Sequence, residues 1–280
     1  MILGGTIVGS WVNVPEWETL LVKSRFKAIT APFSCRTPEK EIGEYLEAAA
    51  RHGVVIAEIG VWKNLMDPDP RAAEEAFEYS KGQLALADRV GIPCCVNIVG
   101  TASSAGWDAA DPSNYAPKTY ERILQMTRQI IDEVNPRNAF YCIEPMPWMV
   151  PDGPEEYLQL IRDVNREQFG AHMDFINMIN SPRRYLAAER FIDDCFRILG
   201  PYIKSTHIKD TRMNPTALTT LLEECSPGEG CLDYKQVLKI MNRYLPEEAP
   251  VLLEHMQTEE EYRQAYTYVA EKAAAAGIPI

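Results

Sequence analysis

Eight short apolar runs alternate with eight segments of helical periodicity along the chain, and this rhythm limits the fold more than any other feature. The apolar runs fall at about 2–8, 28–33, 54–60, 94–100, 139–145, 170–175, 203–210 and 249–256. The helical segments fall at about 16–26, 38–52, 71–90, 116–134, 154–165, 183–199, 233–244 and 258–276. Strands separated by helices pair in parallel through right-handed crossovers. Eight such units close into a (β/α)8 barrel, the TIM-barrel architecture, for which the 280-residue length is ample. No linker, low-complexity tract or block of like charge interrupts the rhythm, so one α/β domain over residues 1–280 is expected.

The punctuation between elements agrees with this reading. Thr37-Pro38, Asp69-Pro70 and Ser181-Pro182 each place a capping side chain before a proline at a helix start. Asp233 with Gln236 has the spacing of a capping box. Gly53, Gly91 and Gly277 follow apolar-periodic runs and read as helix stops. The longer connections follow strands 3, 4, 5 and 7 and carry Trp62, Trp107, Trp148 and the Pro227-Gly228-Glu229-Gly230 segment. All lie at the C-terminal end of the strands, where such barrels keep their chemistry.

A net charge of −12 argues against a nucleic-acid partner, because phosphate binding needs a basic face. No apolar run approaches a membrane span, and the N-terminus lacks the features of a signal peptide. The seven cysteines are odd in number and form no Cys-x-x-Cys, and Cys94 and Cys95 are adjacent in a strand. This usage reads as buried thiols in a reducing, cytoplasmic compartment.

Four runs in the second half each end on a metal-ligating side chain. These are Glu144 after Phe140–Ile143, Asp174 after Gly170–Met173, His207 after Ile203–Thr206, and Glu254 after Val251–Leu253. A single carboxylate at a strand end is commonly an ion-pair partner. Four such groups at the same end of four successive strands read as one divalent cation site. Three carboxylates and an imidazole suit Mn best, with Mg or Co as alternatives and Zn less well matched. Side chains two apart on a strand share a face, so His172 should point with Asp174, and Lys209 with His207. A cation there could polarise a carbonyl, and Glu144 and Glu254, from strands 5 and 8, could take a proton from carbon and return one.

The sequence resembles the xylose isomerase-like barrels, among them ketose 3-epimerases, hydroxypyruvate isomerase and inosose dehydratase. Ile143-Glu144-Pro145, His172-Met173-Asp174, His207-Ile208-Lys209-Asp210, Pro227-Gly228-Glu229-Gly230 with Asp233, and Leu253-Glu254-His255 carry the resemblance, in order, over the whole chain. It implies Glu144, Asp174, His207 and Glu254 as metal ligands, with Glu144 and Glu254 also as the catalytic acid/base pair of a sugar isomerase or epimerase. Ketose 3-epimerases tend to carry a substrate-binding His three residues after the strand-6 Asp, where this chain has Asn177, and a small residue in place of Lys209. A lyase or dehydratase acting on a 3-oxo-sugar, including 3-oxo-C-glycosides, uses the same initial proton abstraction and is the main alternative. An endonuclease-IV-like phosphodiesterase shares the barrel but needs a histidine-rich site and a basic groove, and this chain has four histidines. A non-catalytic sugar-binding subunit would be marked by loss of a carboxylate, and none is missing.

Further substrate-binding candidates are His172, Lys209, Trp62, Trp148, Asn177 and Arg212. A tryptophan face can cover the apolar face of a sugar, or it can pack a loop or subunit interface. Lys63 and Asn64 could reach substrate hydroxyls. Lys209 is either a pocket donor or an ion-pair partner of Asp174 or Glu144. Arg212 is either a ligand for a hydroxyl or phosphate or a surface residue. Asp210 is a candidate to orient His207. The expected partner is a small-molecule sugar, with assembly as a homo-oligomer or with a partner subunit left open.

Overall fold

The computed structural model describes residues 1–280. Ten strands occur in chain order: β1 Ile2–Gly5, β2 Ala28–Thr30, β3 Val55–Gly60, β4 Cys94–Asn97, β5 Phe140–Ile143, β6 Phe169–Asp174, β7 Ile203–Ile208, β8 Asp210–Met213, β9 Leu222–Cys225 and β10 Pro250–Leu253. Eight of them close a barrel in the order β1-β10-β7-β6-β5-β4-β3-β2, with parallel pairing at each contact. The expected (β/α)8 barrel is therefore present. The other two strands, β8 and β9, form an antiparallel hairpin after β7. That hairpin was not anticipated. Its strands mix charged residues with apolar ones, and the connection between them carries no tight-turn dipeptide such as Asn-Gly.

Ten helices cover the barrel: α1 Val14–Ser24, α2 Glu39–Arg51, α3 Pro70–Val90, α4 Pro117–Val134, α5 Pro154–Val164, α6 Phe175–Met178, α7 Pro182–Leu186, α8 Ala188–Leu199, α9 Tyr234–Tyr244 and α10 Glu259–Ala276. Asp69 and Ser181 cap as expected, accepting from the amides of Arg71 and Arg184. Thr37 does not cap α2; its hydroxyl accepts from the Ser34 amide in the preceding turn. Asp233 accepts from the Lys235 amide, but no side-chain bond from Gln236 completes a capping box. The segment expected as one helix over 183–199 breaks at Ala187, which leaves helical geometry. No helix is long and apolar enough to cross a membrane.

Several strands end sooner than the apolar runs, because the C-terminal residues of each run leave the ladder to enter loops. Glu144 and Glu254 lie one residue past β5 and β10, and their backbone amides still donate hydrogen bonds to the carbonyls of Asn97 and Ile208. The register sets the levels of the barrel interior. His172 pairs with Ser205, and one pleat higher Asp174 pairs with His207, which pairs with Leu252. Parallel partners share a face, so the four polar residues form two stacked polar levels, with Glu254 above Leu252 on the same face.

Candidate metal centre and active-site cavity

The upper level gathers the four side chains expected as ligands. Glu144, Asp174, His207 and Glu254 each offer one donor atom, and these atoms all lie within 4.8 Å of one another. His207 Nδ1 is 3.0 Å from Glu254 Oε1 and 3.7 Å from Glu144 Oε1, yet it is buried and makes no hydrogen bond. An unpartnered imidazole nitrogen surrounded by carboxylate oxygens is a poor neutral arrangement and a good cation site. The donor set fits a hard or borderline divalent ion.

Electrostatics point the same way. Burial opposes charge on His207, but the carboxylates of Glu254, Glu58 and Glu144 outweigh it and hold the imidazole well above its usual range. Burial likewise opposes charge on Glu254, and His207 and Lys209 outweigh it, so that carboxylate stays ionised far below neutral pH. For Asp174 burial wins over Lys209, with Glu144 and Glu254 adding repulsion, and its carboxyl is pushed up to about 6.

The lower level contains a residue that sequence reasoning missed. Glu58, on β3, is 1% exposed and accepts three hydrogen bonds. His172 Nε2 lies at 3.0 Å, His207 Nε2 at 2.9 Å and Ser205 Oγ at 2.6 Å. His207 Nε2 faces Glu58, so Nδ1 is directed at the upper level, where the surrounding carboxylates favour a proton on it and a divalent ion would take that proton's place. A carboxylate on the far nitrogen is the usual way to fix the tautomer of a metal-ligating histidine. Asp210, considered for this role, does something else. Its carboxylate accepts from the amides of Thr211, Gly228, Gly230 and Leu232 and so pins the Pro-Gly-x-Gly segment.

His172 and Lys209 share the expected faces but do not reach the cavity. His172 lies beneath the ligands, with Nδ1 4.0 Å from Glu144 Oε2. Lys209 is fully buried against carboxylates. In this structure neither lines the cavity, and Lys209 makes the ion pair with Asp174 that was the alternative reading of it. Arg212 projects from β8 to the surface beside Glu223 at 3.5 Å. Asn64 is buried, donating to the Thr101 carbonyl and accepting from the Met66 and Thr101 amides, and so holds a loop. The Lys63 backbone is held at both its amide and carbonyl by Asn97. Asn177 does border the cavity. It also joins the β5 and β6 loops, since its amide donates to Glu144 Oε1 at 3.3 Å and the Pro145 carbonyl at 3.0 Å. Cys35 and Cys225 are half-buried and Cys231 is exposed, so the expectation of uniformly buried thiols fails for these three.

A cavity of about 1150 Å³ opens above the candidate metal centre and is lined by Glu144, His207 and Glu254 at its base. Trp62, Trp107 and Trp148 form part of its wall, as does Glu224 of the hairpin. No lysine or arginine side chain lines it. Trp62 adopts a left-handed backbone with φ of 49°, an uncommon conformation for a bulky residue. A Cβ on Gly60 would lie 1.9 Å from Trp62 Nε1, so the glycine makes room for the ring. Gly60→Ala should therefore displace the indole. We expect shifted tryptophan emission and a raised KM with little loss of secondary structure; unchanged emission and KM would show that the ring is not held this way.

Comparison with known proteins places this geometry. No curated protein matches the chain by sequence. Among solved structures, a xylose isomerase-like TIM barrel protein from Mycobacterium smegmatis in complex with magnesium is similar, with TM-score 0.70, 15% identity, and coverage of 95% of this chain and 90% of that one. D-psicose 3-epimerase from Clostridium cellulolyticum H10 with D-tagatose gives TM-score 0.70 at 12% identity, covering 97% and 99%. 3-Keto-D-glucoside 4-epimerase from E. coli gives TM-score 0.68 at 14% identity, covering 97% and 99%. At such identities the likeness concerns the fold. The xylose isomerase-like TIM barrel family model, however, matches residues 22–279, and the chain belongs to that family.

Proposed function

We propose that the protein is a divalent-metal-dependent sugar isomerase or epimerase that transfers a proton at a carbon beside a carbonyl. The observation that carries this is the placement of Glu144 and Glu254. Both border the cavity and both face His207 Nδ1 from different strands. In this reading Glu144, Asp174, His207 and Glu254 would hold the ion, with manganese preferred and magnesium or cobalt as alternatives. What a divalent ion supplies there is polarisation of the substrate carbonyl and stabilisation of the charge that develops on its oxygen. Glu254, ionised through the neutral range, is suited to accept a proton from carbon. Glu144, steadied by Asn177, would return to carbon a proton taken up from solvent, and Glu254 would release its own to solvent to close the cycle. Return to the opposite face of the same carbon gives an epimer, and return to the neighbouring carbon, with the hydroxyl proton passed to the former carbonyl oxygen, gives an isomer.

The substrate is proposed to be an uncharged polyol sugar resting on Trp62 or Trp148, with Asn177 beside it. The absence of lysine and arginine from the wall disfavours a phosphate or carboxylate substituent, and the acidic surface disfavours nucleic acid. Sugar-epimerase names among the structural neighbours support the class. A second reading, a lyase on a 3-oxo-glycoside, would begin with the same proton abstraction beside a carbonyl.

Purified protein loaded with Mn and offered ketoses, 3-oxo-glucosides and inososes in D2O should incorporate deuterium beside a carbonyl. Chelation should stop the exchange, and added Mn should restore it. Protons should compete with the ion at His207, held well above its usual range, and at Asp174, whose carboxyl lies near 6, so Mn affinity should already fall as pH is lowered through neutral. Each proton displaced should contribute about tenfold in affinity per pH unit. Exchange that survives complete metal removal would overturn the metal-dependent reading.

A further inference from the structure

The centre already contains a cation of its own. Lys209, one residue past β7, is fully buried, and its Nζ lies 2.7 Å from Glu254 Oε2, 2.8 Å from Asp174 Oδ2 and 3.1 Å from Glu224 Oε2. His255 Nδ1 faces the same ammonium at 3.4 Å and contacts Glu224 at 2.9 Å. The Lys209 backbone is held by its carbonyl, which accepts from the buried Tyr234 hydroxyl at 2.7 Å.

Two of these carboxylates are also members of the tetrad. Asp174 Oδ2 is drawn to Lys209 while Oδ1 accepts from the Asn177 amide at 2.9 Å. Glu254 Oε2 is bound by Lys209 while Oε1 faces His207. The third, Glu224, belongs to the β8–β9 hairpin and lies outside the tetrad. We infer that Lys209 is a resident monovalent cation of the metal centre, competing with the divalent ion for Asp174 and Glu254 and keeping its affinity low enough for exchange. In this scheme Glu224 shares the ammonium with Asp174 and Glu254 and so weakens its hold on the tetrad.

Like charges separated by a few ångströms in a buried site repel strongly, so removing the ammonium should strengthen divalent-ion binding. The inference rests on the tetrad being a metal site. Lys209 does not line the cavity, and it is a positioning residue whose signature is metal affinity rather than turnover.

The test titrates Mn into the metal-free full-length protein and the Lys209→Met variant, by calorimetry and by EPR of free Mn, with thermal melts alongside. The variant should bind its first ion at least about 10-fold more tightly than wild type. Mn should also raise its melting temperature more than it raises that of wild type. A variant that folds only when Mn is present would give the same answer. Equal or weaker binding by a folded variant overturns the inference alone. If wild type and variant both bind no ion, the metal reading falls as well. Should Lys209→Met not fold at any Mn concentration, Glu224→Gln decides. Removing that third partner should concentrate the ammonium on Asp174 and Glu254 and weaken Mn binding several-fold, and unchanged affinity would overturn the inference.

Discussion

Glu144→Gln and Glu254→Gln should each reduce turnover by about 10² to 10⁴-fold, the usual consequence of losing a general base or acid. The far-UV circular dichroism should be unchanged. Each glutamine preserves shape and one oxygen donor but cannot exchange a proton with carbon. Both residues sit one position past a strand, fixed by a backbone hydrogen bond to the neighbouring strand, so the substitution leaves the barrel ladder intact. Because each carboxylate would also hold the ion, activity should be measured at saturating Mn with bound metal quantified in the same sample. A deficit that persists in fully loaded protein belongs to proton transfer. A deficit abolished by excess Mn belongs to metal binding alone. Near-normal turnover in either loaded variant would remove that residue from the proton shuttle.

The barrel and the tetrad were legible for one physical reason. Buried parallel strands need apolar runs, and a charged residue that ends such a run at the functional face is conspicuous against them. Glu144, Asp174, His207 and Glu254 each stand at that boundary. Glu58 was harder to see. It lies inside Val55–Gly60, and only the charge within an otherwise apolar strand marked it; its partners come from β6 and β7, more than 100 residues away. For Lys209 the period-two rule gave the right face but could not separate a cavity contact from a buried ion pair. That distinction depended on where Asp174, Glu254 and Glu224 lie in space, the last delivered by a hairpin whose Asn214-Pro215 turn was not recognised. Arg212 and Asp210 show a related limit. Both adjoin the His207–Lys209 segment, yet strand β8 turns one to the surface and the other into a loop anchor.

Glu58→Ala should be the most damaging single change to stability among these residues, by about 3–5 kcal/mol, the range for removing one partner of a buried charged cluster. The substitution leaves His172, His207 and Ser205 donors aimed at a void where water cannot fully replace the carboxylate. Glu58→Gln is the sharper probe, because its side chain can accept at only one atom and must present an amine to the other donors. It should free His207 to change tautomer and lower metal affinity by about 10 to 100-fold. The acid dependence of stability identifies the cause. Burial raises the Glu58 carboxyl, but His207 and His172 outweigh it and hold it far below its ordinary value of 4.5. A carboxylate depressed on folding contributes stability above its unfolded value and loses that contribution as pH falls towards its folded one. Denaturant unfolding of wild type and Glu58→Gln should therefore differ most near pH 7 and converge below about pH 4.5. A difference that stays constant from pH 7 to pH 3 would mean that lost packing, rather than the buried carboxylate with its two imidazoles, is what the variant lacks.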